Sequence, residues 1–529
     1  MSKTIIFDAD ARNRLKVGVD TLANSVKVTM GPGGRNVVIA RDGGLAVTKD
    51  GVSVAREVVL SDHIADVGAQ MVKQVAHKVA QLAGDGTTTA TVLTQEIFNR
   101  GLKAVATGAN PIELKRGMDA ALTEIVAALS QSSIPVKDLT HIHQVATISA
   151  NNDESMGALI TQCMEAVGFD GIITVEQSKS AETYVDIVEG MQFKSGYLSP
   201  YFINSNEKPQ VEFENALILL VDGKVSVLND IVQFLEYSNQ KGRPLLVISE
   251  SVDGDALNTM VLNKLRGTIK AAAVRAPGFG ELRKENLDDI AILTGAKTVS
   301  EREGYSLAET IASEVLGSAT KVIVTADSTT IIGGEGDDVK IDDRISQLKV
   351  TLSQVESDYE ARILSERIAK LSGGVAIIKV GASTEAELVE KKYRYEDALA
   401  ATRAAVEEGI VPGGGVTLLR LSKKLKLKLS DPDEQFGVDI VKRALEEPIR
   451  QISYNAGLSP DVIVNDVLKA KEGRGLDART GKIVNMIESG IIDPVKVTRV
   501  ALENAVSIAS MMLTTECLMV QEKPTETKA

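Results

Sequence analysis

The chain is expected to be a multidomain protein whose helix-rich ends enclose a mixed α/β middle. Three observations carry this expectation. Its 529 residues exceed a single core and correspond to about three or four domains. Apolar residues recur at helical spacing over most of both ends. From Glu212 to about Ile332, short apolar runs (Leu217–Val221, Leu245–Ile248, Ala271–Val274, Val322–Val324) alternate with helical stretches, the pattern of an α/β module. The two helical ends then form one domain into which the rest is inserted.

Composition narrows the function classes. Hydrophobic residues at 44% and charged residues at 25% are ordinary for a globular chain. A net charge of −13 argues against a nucleic-acid partner, because a phosphate backbone needs a basic surface. Cys163 and Cys517 are too few for a disulfide framework and fit a reducing compartment. The N-terminus lacks an apolar targeting stretch, and no segment approaches about 18 uninterrupted apolar residues. A soluble, cytoplasmic protein without a membrane partner is expected.

From Ala11 to about Ser130 the pattern is mostly helical, broken at Met30-Gly31-Pro32-Gly33-Gly34-Arg35-Asn36 and followed by a short extended pair. Those glycines let backbone approach a ligand or take positive φ. Thr48-Lys49-Asp50-Gly51 reads as a hairpin turn. Ile64, Val67, Met71, Val75, Val79 and Leu82 then mark an amphipathic helix that stops at Gly84. In Gly84-Asp85-Gly86-Thr87-Thr88-Thr89-Ala90-Thr91 one carboxylate sits between glycines, and a new helix opens with hydroxyls from about Thr87. First-turn amides without intrahelical partners receive phosphate oxygens, and Asp85 suits magnesium, which takes one or two carboxylates plus phosphates and water. The competing assignment is that these residues merely cap a helix. His141 and His143 are read as two solvated histidines, for want of a ligand cluster at metal spacing.

Segments between Pro135 and Glu189 are short and mixed. Phe193, Tyr197, Tyr201 and Phe202 then cluster in a stretch broken by Pro and Gly, either a binding patch or a small local core. Val232 with Leu235, and Leu257 with Val261 and Leu262, are helical stripes for which core packing is the default. Asp342 to Leu371 carries Ile345, Leu348, Leu352, Val355 and Tyr359 at heptad spacing, broken by Arg362 and Glu366, and so reads as a helical pair. After Gly373-Gly374 come a strand, Val375–Val380, and a helix to about Ala405 that carries Asp397. The remainder to Cys517 is helix-rich, with Gly413-Gly414-Gly415 before a helix at Val416 and a loose polar tail at the end. No P-loop exists, and Gly473-Arg474-Gly475-Leu476-Asp477-Ala478 matches a dinucleotide pattern only loosely because no strand precedes it.

These stretches meet in one family. Val28-Thr29-Met30-Gly31-Pro32, Thr48 through Glu57, Gly84 through Leu93, Gly190-Met191-Gln192-Phe193, Gly196 through Asn204, Arg403 through Gly409 and Thr514-Thr515-Glu516-Cys517 are near-unbroken matches, and the chain resembles the group I chaperonins, the GroEL type, from about residue 2 to about residue 520. The resemblance implies a mainly α-helical equatorial domain (2–131 and 408–524), a small α+β intermediate domain (132–188 and 375–407), an α/β apical domain (189–374) and a polar tail (525–529). Hinges are implied near Pro135 and Gly409 and near Gly190 and Gly374. Also implied are ATP as substrate, with Mg2+ and K+, a seven-membered ring stacked as a double ring, a GroES-type co-chaperonin and non-native polypeptide as client. On matching positions, Thr29, Met30, Gly31, Pro32, Lys49, Gly86, Thr87, Thr88, Thr89, Gly414, Asp477, Ala478 and Asp493 contact the nucleotide and Asp85 binds magnesium. Asp50 approaches the phosphates, and Asp397 orients or deprotonates the attacking water. Tyr197, Tyr201, Phe202, Val232, Leu235, Leu257, Val261, Leu262 and Asn263 match the surface that binds polypeptide and co-chaperonin.

The chain departs from the family pattern at several positions. Gly33 replaces a lysine and Asp477 an asparagine near the nucleotide; Ser195 replaces an arginine of an inter-subunit salt bridge, Ser459 a glutamate of the inter-ring contact, and the Gly-Met tail is missing. Two outcomes follow: an ATP-driven folding ring, or a scaffold that holds unfolded chains without a productive ATPase cycle. A ring that stays single is a further possibility. Intact Asp50, Asp85 and Asp397 favour the folding machine.

Overall fold

The computed structural model describes residues 3–521 apart from 42–43, 170, 179, 189, 206–208, 301–306, 356 and 373. The expected polar tail at 525–529 lies outside the described residues. In chain order the first elements are β1 (Lys3–Phe7), α1 (Asp8–Lys27), β2 (Val37–Arg41), β3 (Gly44–Thr48), α2 (Gly51–Glu57), α3 (His63–Ala83), α4 (Thr87–Ala106), α5 (Pro111–Gln131), α6 (Leu139–Ser149) and α7 (Glu154–Val167). There follow β4 (Ile172–Gln177), β5 (Tyr184–Val188), β6 (Gly190–Phe193), β7 (Val211–Val225), α8 (Leu228–Lys241), β8 (Leu245–Val252), α9 (Gly254–Leu265), β9 (Ala271–Arg275), α10 (Glu281–Thr294), α11 (Ala312–Val315), β10 (Gly317–Val324) and β11 (Thr329–Gly334). The last part contains α12 (Asp338–Gln354), α13 (Asp358–Ser372), β12 (Val375–Val380), α14 (Glu385–Glu408), β13 (Ile410–Pro412), α15 (Val416–Lys424), α16 (Pro432–Ala444), α17 (Glu447–Asn455), α18 (Pro460–Lys469), β14 (Arg474–Asp477), β15 (Lys482–Asn485), β16 (Ile492–Pro494), α19 (Val495–Leu513) and β17 (Cys517–Gln521).

Two compact units result. One combines the chain up to Gln162 with Gln177–Thr183 and everything from Val380 onward, so both chain ends belong to it. Its ends are joined by the antiparallel pair β1–β17, in register from Lys3 opposite Gln521 to Phe7 opposite Cys517, and by Arg12 bonding the Glu516 carboxylate at 2.7 Å. The helices obey their local signals. Asp62 caps α3 by accepting from Ile64 and Ala65 N–H, and α3 ends on Gly84, whose φ of 74° suits the left-handed stop. Its stripe of Ala65, Gly68, Ala69, Val72, Val75, Ala76 and Val79 is buried. Backbone meets backbone where α1 crosses α3: a Cβ on Gly18 would lie 1.8 Å from the Ala65 carbonyl oxygen, and one on Gly68 2.1 Å from that of Leu15. The expected turn at Thr48–Gly51 is not a turn. Arg41 and Gly44 close the β2–β3 hairpin, while Asp50 accepts from Val52 N–H at 3.1 Å and Ser53 N–H at 2.8 Å and so starts α2.

The second unit, Cys163–Glu176 with Tyr184–Lys379, contains the predicted α/β module. Its six-stranded sheet runs β6-β11-β10-β7-β8-β9, parallel from β7 to β9 and antiparallel elsewhere, beside a three-stranded sheet β4-β12-β5. The apolar run Leu217–Val221 proves to be the centre of a longer strand, β7, because polar residues extend its ladder at both ends. The predicted helical pair is α12 and α13, but Tyr359 is exposed and does not join the seam that Ile345 and Leu348 bury. Arg367 bonds Asp289 at 2.7 Å and Glu285 at 2.5 Å, and Arg344 also bonds Asp289, so this buried carboxylate ties α10 to α12 and α13.

Candidate functional site

A cavity of about 570 Å3 in the first unit gathers the expected nucleotide residues. Thr29, Met30, Gly31, Pro32, Lys49, Asp50, Asp85, Gly86, Thr87, Thr88, Thr89, Asp397, Gly414, Asp477, Ala478 and Asp493 all line it. At its centre α3 ends, Asp85 follows, and Gly86 (φ 86°) opens α4 without any side-chain cap. The Asp85 carboxylate does not cap α4; its Oδ1 accepts from Gly86 N–H at 2.5 Å instead. The first intrahelical bond runs from Ala90 N–H to the Gly86 carbonyl at 2.9 Å, which leaves the amides of Thr87, Thr88 and Thr89 at the positive end of the helix without intrahelical acceptors. A Cβ on Gly86 would lie 2.6 Å from Val497, so no larger residue fits this turn without displacement.

The loop after α1 forms a second wall. Gly31 takes φ 76°, and the Asn455 amide of α17 donates to the carbonyls of Lys27 and Met30, both at 2.9 Å. Gly33 also has a steric reason here, because a Cβ would lie 2.6 Å from the Asn455 carbonyl oxygen. Lys49 donates to the Pro32 carbonyl at 3.4 Å, and partial burial lowers its ammonium below the ordinary value.

α14 brings in Asp397. It approaches the Asp85 loop because Gly84 has no side chain: a Cβ there would sit 1.9 Å from that of Ala400, one turn beyond Asp397. The Asp397 carboxyl is pushed up to about 9, first by burial and then by the charges of Asp50 and Asp85. Burial also raises Asp85, against the stabilising bonds from Gly86 and Ser149, and pushes Asp493 up to about 7. Carboxylates that burden one another in this way fit a cation. Among the described residues no three His, Cys, Asp or Glu form a ready metal cage, so a cation on Asp85 would complete its shell with phosphate and water oxygens, as magnesium does.

Another part of the lining is apolar and glycine-built. Gly414 and Gly415 take φ 61° and 76° before α15, and Leu476, Ala478 and Ile491 face the cavity. The loose dinucleotide pattern is a hairpin, β14–β15, with no helix after it, yet Asp477 and Ala478 at its turn still line the cavity.

Several lining residues were not expected from sequence. Gln144, Thr147, Ile148 and Ser149 come from α6, and Asn151 and Asn152 follow it with φ 58° and 64°. Arg394 of α14 holds that turn, bonding the Ala150 carbonyl at 3.0 Å and Asp153 at 3.2 Å. The pair Asn151-Asn152 was the available signal, since asparagine is enriched at positive φ. His141 and His143 are half-buried on α6, and His143 lines the cavity. Cys163 is buried and its thiol is pushed up to about 12, which makes it a poor nucleophile.

In the second unit the expected polypeptide-binding residues divide by exposure. Phe202 is 0% exposed and Leu235 7%, both within the core, whereas Tyr201 at 62% and Leu262 at 52% face solvent. Tyr197, Val232, Leu257, Val261 and Asn263 are half-buried. The physical cause is a single 3-10 turn, Pro200–Phe202, which points Tyr201 outward and Phe202 inward.

The fold has a solved counterpart. The crystal structure of the chaperonin gp146 from the bacteriophage EL 2 (Pseudomonas aeruginosa), in presence of ATP-BeFx, matches with a TM-score of 0.72, covering 98% of this chain and 99% of that one at 23% identity. At that identity the likeness speaks for the fold. The TCP-1/cpn60 chaperonin family model matches residues 22–523, and the chain belongs to that chaperonin family.

Proposed function

We propose that the chain is an ATP-driven chaperonin that captures non-native polypeptide on apolar surface of its second unit and encloses it in a ring chamber for folding. One observation carries this: the open first turn of α4 and the carboxylates of Asp50, Asp85 and Asp397 meet in one cavity. The amides and hydroxyls of Thr87, Thr88 and Thr89 hold phosphate oxygens, and Lys49 adds a cation at the Gly31-Pro32 loop. Magnesium, when bound, neutralises charge on the phosphates, and Asp85 with Asp50 would hold it; potassium is the second cation of the proposal. Asp397 orients the attacking water or, where a cation offsets the charges that hold its carboxyl up, accepts its proton. Such positioning and electrostatics supply most of the catalysis in phosphoryl transfer. The proposal keeps equatorial (2–131, 408–524), intermediate (132–188, 375–407) and apical (189–374) domains, a cytoplasmic seven-membered ring and a GroES-type co-chaperonin.

The test is refolding of a stringent unfolded substrate with ATP, with and without a GroES-type co-chaperonin, beside the variant Asp397→Ala. Turnover of ATP is expected to fall by about 10²–10⁴-fold in the variant, with nucleotide binding retained. Full turnover removes Asp397 from the mechanism, and capture without ATP-dependent release replaces the folding machine by a holding scaffold.

A further inference from the structure

The apolar part of the cavity is suited to read a base, an inference that rests on the nucleotide function proposed above. Leu476, Ala478 and Ile491 belong to the apolar cluster around Val416, Ile449 and Met486, and form walls for a flat ring. One turn places two charged side chains there, Asp477 at the close of β14 and the exposed Arg479 beyond it. The Asp477 carboxylate is fixed from behind: Oδ1 accepts from Arg479 N–H at 3.0 Å and Oδ2 from the Thr480 hydroxyl at 2.7 Å. Each oxygen keeps a further lone pair, so the group presents two adjacent acceptors and no donor.

Guanine answers that pattern with two adjacent donors, N1–H and the N2 amine. Adenine offers one donor, its N6 amine, beside the N1 lone pair, which would face the second carboxylate oxygen. A guanidinium pairs with guanine O6 and N7, on the adjoining Hoogsteen edge of the base, and Arg479 can supply it. We infer that the cavity takes guanosine triphosphate as well as adenosine triphosphate, with Asp477 and Arg479 reading the base.

Calorimetric titration of the full chain with ATP, GTP and inosine triphosphate, each with magnesium, tests this. GTP is expected to bind within about tenfold of ATP. Inosine triphosphate, which lacks the N2 amine, should bind about tenfold more weakly than GTP, the worth of one hydrogen bond to a charged acceptor. Asp477→Asn should lower GTP affinity relative to ATP by about tenfold on the same ground. Binding of ATP with no binding of GTP, or equal binding of GTP and inosine triphosphate, overturns the base assignment and leaves the nucleotide site standing. No binding by any of the three overturns the nucleotide reading itself. The inosine comparison uses the unaltered protein, so it decides the matter even if Asp477→Asn fails to fold.

Discussion

Burial and two neighbouring carboxylates push Asp397 the same way, to about 9 from an ordinary 3.8. The consequence for stability has a definite sign. A carboxyl whose folded value is raised holds a proton that the unfolded chain has released, so unfolding free energy falls as pH rises through the window from 3.8 to about 9. In metal-free protein, thermal unfolding followed by calorimetry should show the melting temperature falling across that window, and Asp397→Asn should flatten the slope. An unchanged slope in the variant would show that Asp397 does not carry the shift. Asp85 and its glycines were legible in the sequence because a carboxylate between glycines at a helix start is a local feature. The Ser149 hydroxyl that bonds Asp85 was not, since nothing near Ser149 in sequence announces a carboxylate.

Among elements, the 3-10 turn at Pro200–Phe202 decides more than the composition around it. The aromatic cluster left a binding patch and a local core as alternatives, and the turn puts Phe202 in the core and leaves Tyr201 exposed. Phe202→Ala should destabilise the protein by about 3–5 kcal/mol through the cavity it leaves. Tyr201→Ala should change stability by no more than about 0.5 kcal/mol, as is usual for a surface substitution, while weakening capture of unfolded polypeptide. Denaturant unfolding, with binding of an unfolded client measured alongside, separates the two; a loss of capture without loss of stability in Phe202→Ala would reverse their roles. The stripes Val232–Leu235 and Leu257–Val261–Leu262 show the same limit. Periodicity places a helix face, but exposure along it depends on what packs there.

For the whole molecule, the described residues of the first unit form four two-stranded pairs, β1–β17, β2–β3, β13–β16 and β14–β15. Such pairs are marginal alone, and unpaired edges invite another chain. Val38 at 62% and Leu45 at 77% exposure put apolar side chains on the β2–β3 hairpin, which suits the head-to-tail contact that the proposed ring requires. Val38→Asp is therefore expected to shift the protein toward smaller species in sedimentation velocity at micromolar concentration, and unaltered assembly would exclude this hairpin from the contact. Close to Ser459 in the chain, Asp461 accepts from Arg450 at 2.6 Å, and Arg450 also bonds Glu446 at 3.0 Å.

By itself the sequence determined the helix starts and stops, the α/β alternation, the glycine loops and the family motifs, because each depends on residues within a few positions of one another. The start of α2 is local too, since Asp50 accepts from Val52 and Ser53 N–H, although the stretch reads as a turn; only the tertiary structure decided that Phe202 is core and Tyr201 surface, and that Asn151 and Asn152 border the cavity. It also decided how Asp85 meets Asp397. Gly84 lacks the Cβ that would strike Ala400, so two helices remote in sequence close to backbone distance and bring their carboxylates into one charged cavity. Helix starts and stops are set by neighbours in the chain, whereas burial and charge coupling are set by neighbours in space.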